Sequence, residues 1–473
     1  MESVPERLVV VSNRIPITIS TENDELTAVP SSGGLVTALQ PLLQEHGGIW
    51  VGSVDVEDTP EVHKALDDAT KRESFEYVPV FLTKEEQVNF YQGFSNEIIW
   101  PLFHDLQSRC IFDPKYWTYY LQVNQKFAEV MYQTCNDGDL IWIHDYQLMQ
   151  LARNLRGAGS HSKLAFFMHI PWPPPDIFAK LPWRESVMNG LLDHDLIGFQ
   201  TERDERNFIS CLNAFVPAAK VREYGDGHVV EMDQRRTHVG WFPISIDFDA
   251  YSKAAAELPV EEKMKKVLED VSGVRIALGV DRLDYTKGIP ERLRAFASFL
   301  RDFPQFRHKV TLIQVVVPSR EAIQEYQDLK LEVESLVTKI NGEFSQPGWI
   351  PINYMHRSIP REELLALYRS AEVALVTPLK DGMNLVAKEY CAAKTEGGGV
   401  LILSEFAGAA PELGVGAILV NPYDELGVAQ ALNQAFSMQC HEQRERMQRL
   451  REQVRQNTIL TWRDRLFSRL EAA

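Results

Sequence analysis

The feature of this sequence that most constrains its fold is the recurrence of short apolar runs separated by segments of helical periodicity. Runs rich in β-branched residues, such as 8–11, are typical of strands that are buried on both faces of a parallel sheet. A helical pattern at 116–132 separates two of them. The sequence therefore predicts a doubly wound, mostly parallel α/β sheet in the N-terminal half. Its strands are expected at residues 8–11, 49–54, 75–82, 140–143, 164–170 and 196–199.

A second set of strands follows a boundary that we place near residues 241–247. Its members lie at 276–280 and 311–317 and near Ile352, Ala374, Leu401 and Ile418. With helices between them they predict a second parallel sheet, and 473 residues are enough for two large domains. The predicted domains are residues 1–245 and 246–450. A C-terminal helix at 451–473 is expected to pack back on the body through Trp462.

The composition excludes several classes of protein. The formal net charge of −17 argues against binding to nucleic acid. No apolar run approaches the ~18 residues of a membrane span, and no signal peptide is visible, so no membrane partner is expected. Five cysteines without a CxxC spacing indicate buried thiols in a reducing compartment. We therefore expect a cytoplasmic enzyme, and we find no metal-ligand spacing in it.

The stretch 376–390 carries the strongest local signal of function. A buried strand leads into a polar loop closed by Asp381 and Gly382 and then into a helix, which presents unpaired helix-start amides to an anion. If the intervening residues were all helical, Asp381 and Glu389 would stand roughly 12 Å apart. That is too wide for a glycosidase pair, at ~5–9.5 Å, but it suits the two ends of a nucleotide-sugar. An ordinary strand–loop–helix corner is the alternative.

Cations follow several of the predicted strands. Ligands of parallel sheets bind at the carboxyl ends of the strands, where Arg14 and Arg320 are expected to lie. Arg282 and Lys287 follow another strand and are five residues apart. They could clamp one diphosphate, the arginine through its fork and the lysine as a point charge. Ordinary surface ion pairing is the alternative for this pair.

Other candidates lie in the first half of the chain. Gly33 and Gly34 begin a predicted helix, where a ligand could approach the backbone, although a flexible turn also explains them. Asp145 and His169 end neighbouring strands and together suggest a cleft, whereas a single buried histidine is usually structural. Aromatic residues crowd 90–101. Their faces suit sugars, but most aromatic residues in a chain of this size belong to the core.

These motifs occur in the order found in trehalose-6-phosphate synthases, which the chain resembles from about residue 7 to residue 423. The resemblance is specific, because so many ordered motifs are unlikely to match by chance. It rests on Ser12-Asn13-Arg14, Gly33-Gly34-Leu35, Tyr91, Phe94-Ser95-Asn96, Trp100-Pro101, 142–146, His169-Ile170-Pro171, 198–201, 282–288 and 381–389.

The resemblance implies a GT-B fold, in which two Rossmann-like doubly wound domains face a central cleft. The N-terminal domain would bind the acceptor and the C-terminal domain the nucleotide-sugar. The implied reaction transfers glucose from UDP-glucose to glucose 6-phosphate with retention, giving trehalose 6-phosphate and UDP for osmolyte and stress-sugar production. UDP-glucose is a co-substrate, and no metal or other cofactor is expected. Since the sequence stops at Ala473 without a phosphatase domain, we expect a separate trehalose-6-phosphate phosphatase to act downstream.

The resemblance also implies roles, position by position. Arg282 and Lys287 would hold the donor diphosphate and stabilise the leaving UDP, and Asp381 and His169 would orient the donor glucose. These four are the predicted catalytic residues. The other donor-binding residues are Glu389 at the ribose, the backbone of Leu385, Val386, Ala387 and Lys388, and the pair Gly33 and Gly34. The acceptor-binding residues are Arg14, Tyr91, Trp100, Asp145 and Arg320.

One departure from the family pattern concerns the acceptor. The family commonly has a second tryptophan in a W-x-G-W pattern, and here Ser53 takes its place after Trp50, Val51 and Gly52. The nearest alternative is a related retaining transferase with another acceptor, such as glycerol 3-phosphate, or another donor, such as ADP-glucose. A non-catalytic regulator that binds sugar phosphates is a further alternative, but an intact donor clamp argues against it. The oligomeric state is open, with a homo-oligomer among the alternatives.

Overall fold

The computed structural model of the chain divides into two units, each with its own sheet and core. The residues that the structure describes are 7–22, 25–30, 34–271, 273–320 and 323–472. The first unit contains the described residues up to Pro243 together with those from Trp462 onward, and the second contains those between Ile244 and Thr461. Both sheets are mainly parallel with helical crossovers, so the predicted α/β class with two Rossmann-like domains is confirmed.

The first unit contains a nine-stranded sheet and a separate hairpin. Its strands are β1 (Leu8–Arg14), β2 (Ile17–Glu22), β3 (Glu25–Pro30), β4 (Ile49–Val54), β5 (Glu76–Phe81), β6 (Leu140–His144), β7 (Lys163–Phe167), β8 (Leu196–Phe199), β9 (Lys220–Tyr224), β10 (Gly227–Met232) and β11 (Arg235–Trp241). The order in the sheet is β5-β4-β1-β6-β7-β8-β11-β10-β9, and β2 pairs with β3. Neighbouring strands in this order pair in parallel from β5 as far as β11. The last two pairs, β11 with β10 and β10 with β9, are antiparallel.

Helices connect these strands. They are α1 (Gly34–His46), α2 (Pro60–Thr70), α3 (Lys84–Glu86), α4 (Trp100–Phe103), α5 (Pro114–Thr134), α6 (Leu151–Gly157), α7 (Pro175–Phe178), α8 (Arg184–Leu191) and α9 (Glu202–Phe215). From β1 the chain builds β4 and β5 on one side and then β6, β7 and β8 on the other. The carboxyl ends of β1 and β6 therefore border a topological switch point, where open α/β sheets bind ligands.

A π-helix at Gln87–Ile99 joins α3 to α4, and the sequence analysis did not predict it. In a π-helix the backbone hydrogen bonds join residues five apart, and two side chains here donate to carbonyls at the same spacing. Ser95 Oγ donates to the Phe90 carbonyl at 2.9 Å, and Asn96 Nδ2 donates to the Tyr91 carbonyl at 2.7 Å. π-helical turns are rare and frequently occur at functional sites, and Tyr91 is one of the predicted acceptor residues.

The second unit is built on a six-stranded, wholly parallel sheet. Its strands are β12 (Arg275–Arg282), β13 (Val310–Val317), β14 (Ile352–His356), β15 (Val373–Val376), β16 (Val400–Ser404) and β17 (Ile418–Val420), in the order β14-β13-β12-β15-β16-β17. The switch point lies between β12 and β15, so ligands of this unit are expected where these two strands end.

The helices of this part of the chain are α10 (Phe248–Ala255), α11 (Leu258–Asp270), α12 (Ile289–Asp302), α13 (Gln324–Phe344), α14 (Arg361–Ser370), α15 (Leu385–Ala393), α16 (Ala410–Leu413), α17 (Glu425–Ser437), α18 (Cys440–Gln456) and α19 (Ile459–Glu471). The segment 451–473, expected as one helix, thus comprises the end of α18 and then α19. From Trp462 onward α19 belongs to the first unit, where the Trp462 ring lies 4.7 Å from that of Trp142 and 5.1 Å from that of Phe167. Within the described residues, no helix combines the length and apolarity that crossing a membrane requires.

Candidate active site

Asp145 and His169 lie next to each other at the ends of β6 and β7. Asp145 has a positive φ of 74°, which aspartate tolerates better than most residues. Its amide donates to the Phe167 carbonyl at 2.8 Å, and its Oδ1 accepts a hydrogen bond from the His169 amide at 3.2 Å. The structure therefore brings these two predicted residues together.

The His169 ring is held by two neighbours in the same unit. Gln200 Nε2 lies 3.3 Å from Nδ1 of His169, and Nε2 of His169 lies 3.0 Å from Nδ1 of His144. Because the amide nitrogen of Gln200 only donates, the proton of His169 sits on Nε2 and is donated to His144. Burial lowers the pKa of His169 to about 3. Burial, with repulsion from His169, also lowers the pKa of His144, so both rings are neutral at neutral pH.

Arg14 and Tyr91 form a second pair of predicted residues. The Arg14 guanidinium carbon lies 5.2 Å from the centroid of the Tyr91 ring, and Nη1 lies 2.5 Å from Oδ2 of Asp55. The side chains of Arg14 and Asp55 are 52% and 47% exposed. Since an exposed ion pair contributes only ~0–1 kcal/mol, Arg14 could exchange Asp55 for an anionic ligand at little cost.

Ser53, which stands where the family commonly has a tryptophan, supports the end of β1. It pairs in register with Arg14, and its Oγ donates to the Asn13 carbonyl at 2.6 Å. The side chain is buried. This position thus fixes the backbone beside Arg14 with a hydroxyl.

Trp100 is buried in the short helix that follows the π-helix. Its ring centroid lies 4.3 Å from that of His104 and 5.9 Å from that of Tyr146. His104 Nδ1 lies 2.7 Å from the Trp100 carbonyl, and the Tyr146 hydroxyl donates to Asn96 Oδ1 at 3.1 Å. Trp100 is therefore packed as a core residue is, which was the alternative that the sequence analysis gave for the aromatic residues.

In the second unit, Lys287 and Asp381 form an ion pair between the loops that follow β12 and β15. Lys287 Nζ lies 2.5 Å from Asp381 Oδ2, and the two side chains are only 11% and 14% exposed. Asn384 Nδ2 donates to the same oxygen at 3.1 Å. The α15 helix begins only at Leu385, so the residues between Asp381 and Glu389 are not all helical, and the condition attached to the separation of roughly 12 Å is not met.

Gly288 allows the loop that carries Lys287 to approach β15. It has φ of 63°, and a Cβ there would lie 2.4 Å from the Thr377 carbonyl oxygen. Any other residue would force the two loops apart. Glycine at this position is therefore part of what brings Lys287 and Asp381 together.

Asp284 and Arg320 lie together close to the same loop. Arg320 Nη1 is 3.4 Å from Asp284 Oδ2, and the two side chains are 7% and 1% exposed. The Tyr326 hydroxyl donates to the same carboxylate oxygen at 3.2 Å. The predicted phosphate-binding residue Arg320 is thus largely buried and held by a carboxylate.

Arg292, on α12, connects the strand ends of this unit from within the core. Its side chain is fully buried and pairs with Asp281 at the end of β12. Nε donates to Thr377 Oγ1 at 2.9 Å, Nη1 to Gln314 Oε1 at 3.2 Å, and Nη2 to the Lys287 carbonyl at 3.3 Å. One guanidinium therefore ties together β12, β13, the end of β15 and the Lys287 loop.

Glu389 is held by two tyrosines. The Tyr251 hydroxyl donates to Oε1 at 3.1 Å, and the Tyr368 hydroxyl donates to Oε2 at 2.8 Å. Burial raises the pKa of Glu389, while the tyrosines and Arg361 oppose that rise. Both oxygens are thereby oriented, and each keeps a lone pair for a ligand hydroxyl.

The remaining predicted residues fall into three groups. Leu385, Val386, Ala387 and Lys388 form the first turn of α15, and the Lys388 side chain is buried against Glu412 at 2.6 Å. Arg282 is exposed, and its side chain forms no ion pair or hydrogen bond with another described residue. Gly34 begins α1, whereas Gly33 lies outside the described residues.

The chemistry available at these strand ends is that of anion and hydroxyl binding. Cations and the first amides of α15 can meet phosphates, and oriented carboxylates can meet sugar hydroxyls. Within the part of the chain that the structure describes, no group of three or more His, Cys, Asp or Glu side chains could hold a metal ion.

Comparison with known proteins places this chain among the glycosyltransferases. It matches Glycosyltransferase family 20 over residues 6–472. The chain belongs to this family. A trehalose-6-phosphate synthase from Mycobacterium avium (strain 104) is 40% identical over 463 residues, which cover 96% of this chain and 93% of that protein.

Solved structures show the same likeness. An α,α-trehalose-phosphate synthase (UDP-forming) from Burkholderia xenovorans in complex with glucose-6-phosphate is 33% identical, with a TM-score of 0.87 over 98% of this chain and 100% of that one. The E. coli trehalose-6-phosphate structure bound with UDP-2-fluoro glucose is 35% identical, with a TM-score of 0.88 over 99% of both chains. The predicted GT-B fold is confirmed.

Sequence reasoning missed several residues that shape these sites. Asp284 lies in a motif that was quoted, but only its neighbours Arg282 and Lys287 were given roles. Arg292 gave no signal, because an arginine on a charged helix normally indicates a solvated face. The tyrosines at Glu389 come from other helices, and nothing in a single sequence pairs them with that carboxylate.

Proposed function

We propose that this chain is a UDP-forming α,α-trehalose-phosphate synthase. It transfers glucose from UDP-glucose to glucose 6-phosphate with retention of anomeric configuration and releases trehalose 6-phosphate and UDP. The observation that carries the proposal is the buried Lys287–Asp381 pair at the switch point of the second sheet, in a chain that matches such synthases over nearly its whole length.

The second unit has the groups that a nucleotide-sugar needs. We assign the donor diphosphate to Lys287 and Arg282 and to the amides at the start of α15, where the helix dipole also favours an anion. Asp381 holds the Lys287 ammonium in place before the donor arrives, so little reorganisation is needed on binding. Glu389 is assigned to the ribose hydroxyls, because its two oxygens are already oriented by tyrosines.

The acceptor assignment rests mainly on the first unit. Arg14 is exposed and only weakly paired, which suits a cation that receives the phosphate of glucose 6-phosphate. Tyr91 and Asp145 are assigned to the sugar, and Trp100 to the support of that region. Arg320 of the second unit keeps its predicted part in binding the acceptor phosphate.

The reaction breaks the bond between the anomeric carbon and the diphosphate oxygen and forms a bond from that carbon to the anomeric hydroxyl of glucose 6-phosphate. The proton of that hydroxyl passes to the departing phosphate oxygen, on the face from which UDP leaves. No enzymic nucleophile is assigned. Stabilisation of the leaving diphosphate by Lys287 and Arg282 and positioning by His169 and Asp381 supply the rate.

Four finer points belong to the same proposal. We propose that turnover needs no metal, that the protein acts in the cytoplasm, and that a separate phosphatase removes the phosphate of the product. The oligomeric state is left open, and light scattering would show whether the protein forms a homo-oligomer. Cell fractionation tests the location.

The test is nucleotide release by the purified, metal-stripped protein. UDP-glucose or ADP-glucose is supplied with glucose 6-phosphate or glycerol 3-phosphate, and products are identified by mass and by NMR of the anomeric protons. We expect release only with UDP-glucose and glucose 6-phosphate, giving an α,α-linked disaccharide phosphate. Turnover only with another pair would refute the substrates, turnover only after metal addition would refute metal independence, and silence with every pair would favour a regulator.

A further inference from the structure

Asp284 lies among the cations to which the proposed function assigns phosphates. Its side chain is 1% exposed. Burial raises the pKa of Asp284, but attraction to Arg320, Lys287 and Arg282 outweighs burial, so the pKa lies below the ordinary value. The carboxylate is therefore ionised at neutral pH. A buried charge of this kind is costly unless its partners compensate it.

One oxygen of Asp284 fixes the turn that leads to Lys287. Oδ1 accepts hydrogen bonds from the Thr286 amide at 3.0 Å and from Thr286 Oγ1 at 2.8 Å. The Lys287 amide donates to the Asp284 carbonyl at 3.1 Å. These bonds close a single 3₁₀ turn over Tyr285–Lys287, and they set the direction in which the lysine leaves the backbone.

The other oxygen holds Arg320. Oδ2 lies 3.4 Å from Arg320 Nη1 and 3.2 Å from the Tyr326 hydroxyl, and the same Nη1 donates to that hydroxyl. Arg320 has a positive φ of 49°. A non-glycine residue in this left-handed region persists only where surrounding contacts hold it, and Asp284 with Tyr326 supplies such contacts.

We propose that Asp284 is a positioning residue for both substrates, holding the Lys287 turn for the donor diphosphate with one oxygen and the Arg320 guanidinium for the acceptor phosphate with the other. A turn of this type needs only one carboxylate oxygen. The second oxygen is used for a cation that lies 36 residues further along the chain. The inference rests on the proposed function, because it takes its two ligands from there.

The division of labour between the two oxygens can be tested with three variants. Thr286→Val removes the hydroxyl donor on the Oδ1 side and keeps the side-chain shape. Tyr326→Phe removes the bridging hydroxyl on the Oδ2 side. Asp284→Asn removes the charge that both sides share. Dissociation constants for UDP and for glucose 6-phosphate are measured separately by calorimetry on the full chain, so binding is read without turnover.

We expect the two variants that each affect one side of the carboxylate, Thr286→Val and Tyr326→Phe, to weaken the binding of different ligands. Tyr326→Phe should raise the dissociation constant for glucose 6-phosphate about three- to tenfold, the loss expected for one hydrogen bond. The dissociation constant for UDP should stay within twofold of that of the unmodified protein. Thr286→Val should raise the dissociation constant for UDP by a similar factor and leave that for glucose 6-phosphate nearly unchanged. Asp284→Asn should raise both dissociation constants. The control is Tyr354→Phe, since the buried Tyr354 hydroxyl has no hydrogen-bond partner among the described residues, and it should change neither constant.

Failure of the inference differs from failure of the proposed function. If the unmodified protein binds neither ligand, the proposed function is wrong and the inference is wrong with it. If the unmodified protein binds both, but Thr286→Val and Tyr326→Phe change both constants equally or change neither, Asp284 has only a structural role. These two variants decide this point even where Asp284→Asn does not fold.

Discussion

Replacement of Arg292 by methionine tests what holds the second unit's strand ends together. Methionine keeps most of the length of the side chain but removes the charge and all of its donors. Asp281 would then lose its buried partner, and Thr377, Gln314 and the Lys287 carbonyl would each lose a hydrogen bond.

The expected cost follows from the burial of the pair. The Arg292 side chain is fully buried and that of Asp281 is 3% exposed. Removing one partner of a buried ion pair costs about 3–5 kcal/mol of the free energy of unfolding, because the other charge is left uncompensated. Burial already raises the pKa of Asp281, against the attraction of Arg292. Loss of the guanidinium raises it further, so the carboxyl can escape by taking up a proton. The cost should therefore be larger at pH 7 than at pH 5.

Hydrogen exchange of peptides from β12 and α12 is the appropriate measurement, because two units need not unfold together. Arg294→Met is the matched control, on the same helix. Its side chain is 40% exposed and pairs with Glu332 at the surface, so its loss should cost only ~0–1 kcal/mol. If Arg292→Met proves no more destabilising than Arg294→Met, the buried network does not hold these strands.

Three further predictions concern turnover and pH. Lys287→Met should lower kcat/KM for UDP release roughly 10²–10³-fold, as for other preorganised groups that stabilise a developing negative charge; a loss within twofold would remove the ammonium from the reaction. Arg14→Ala should raise KM for glucose 6-phosphate about tenfold or more, as for the loss of a hydrogen bond to a charged group, without changing KM for UDP-glucose. Steady-state kinetics that show both constants unchanged would contradict the role of Arg14 in binding the phosphate. Burial lowers the pKa of His194 and of His169 to about 3. Only the unfolded state then takes up protons as the pH falls below about 6.5, so each histidine should cost about 1.4 kcal/mol of stability per pH unit down to its folded pKa. Urea midpoints of His194→Asn at pH 7, 6 and 5 should accordingly fall less steeply than those of the unmodified chain, and equal slopes would mean that His194 is not buried in its neutral form.

The strands were predictable where burial on both faces leaves an uninterrupted apolar run. β4 was predicted at 49–54 and observed at Ile49–Val54. β7 was predicted to reach residue 170 but ends at Phe167, because the His169 amide donates to the Asp145 side chain instead of a neighbouring strand. The hairpin of β9 and β10 was missed, since the mostly exposed residues of β9 at the sheet edge show no apolar run.

The candidate site was predictable only in part. Strand ends indicated Arg14, Lys287 and Asp381, because parallel sheets bind ligands there whatever their sequence. The pairing of Lys287 with Asp381 joins residues 94 positions apart, and periodicity carries no information about such contacts. The burial of Arg292 likewise depends on which face of α12 meets the sheet, and a polar residue on that face can be recognised only from the packed structure.

The return of α19 to the first unit has a consequence for synthesis of the protein. Domains generally fold N-terminal first as the chain is made, at roughly 5–20 residues per second. The first unit cannot finish in that way, because Trp462 packs against Trp142 and Phe167 and is made only after the whole second unit. For on the order of 10–40 s at that rate, the nascent first unit presents an uncovered aromatic surface, next to the histidine pair. A chaperone that shields apolar surface should therefore bind the nascent chain during this interval and leave once α19 has docked.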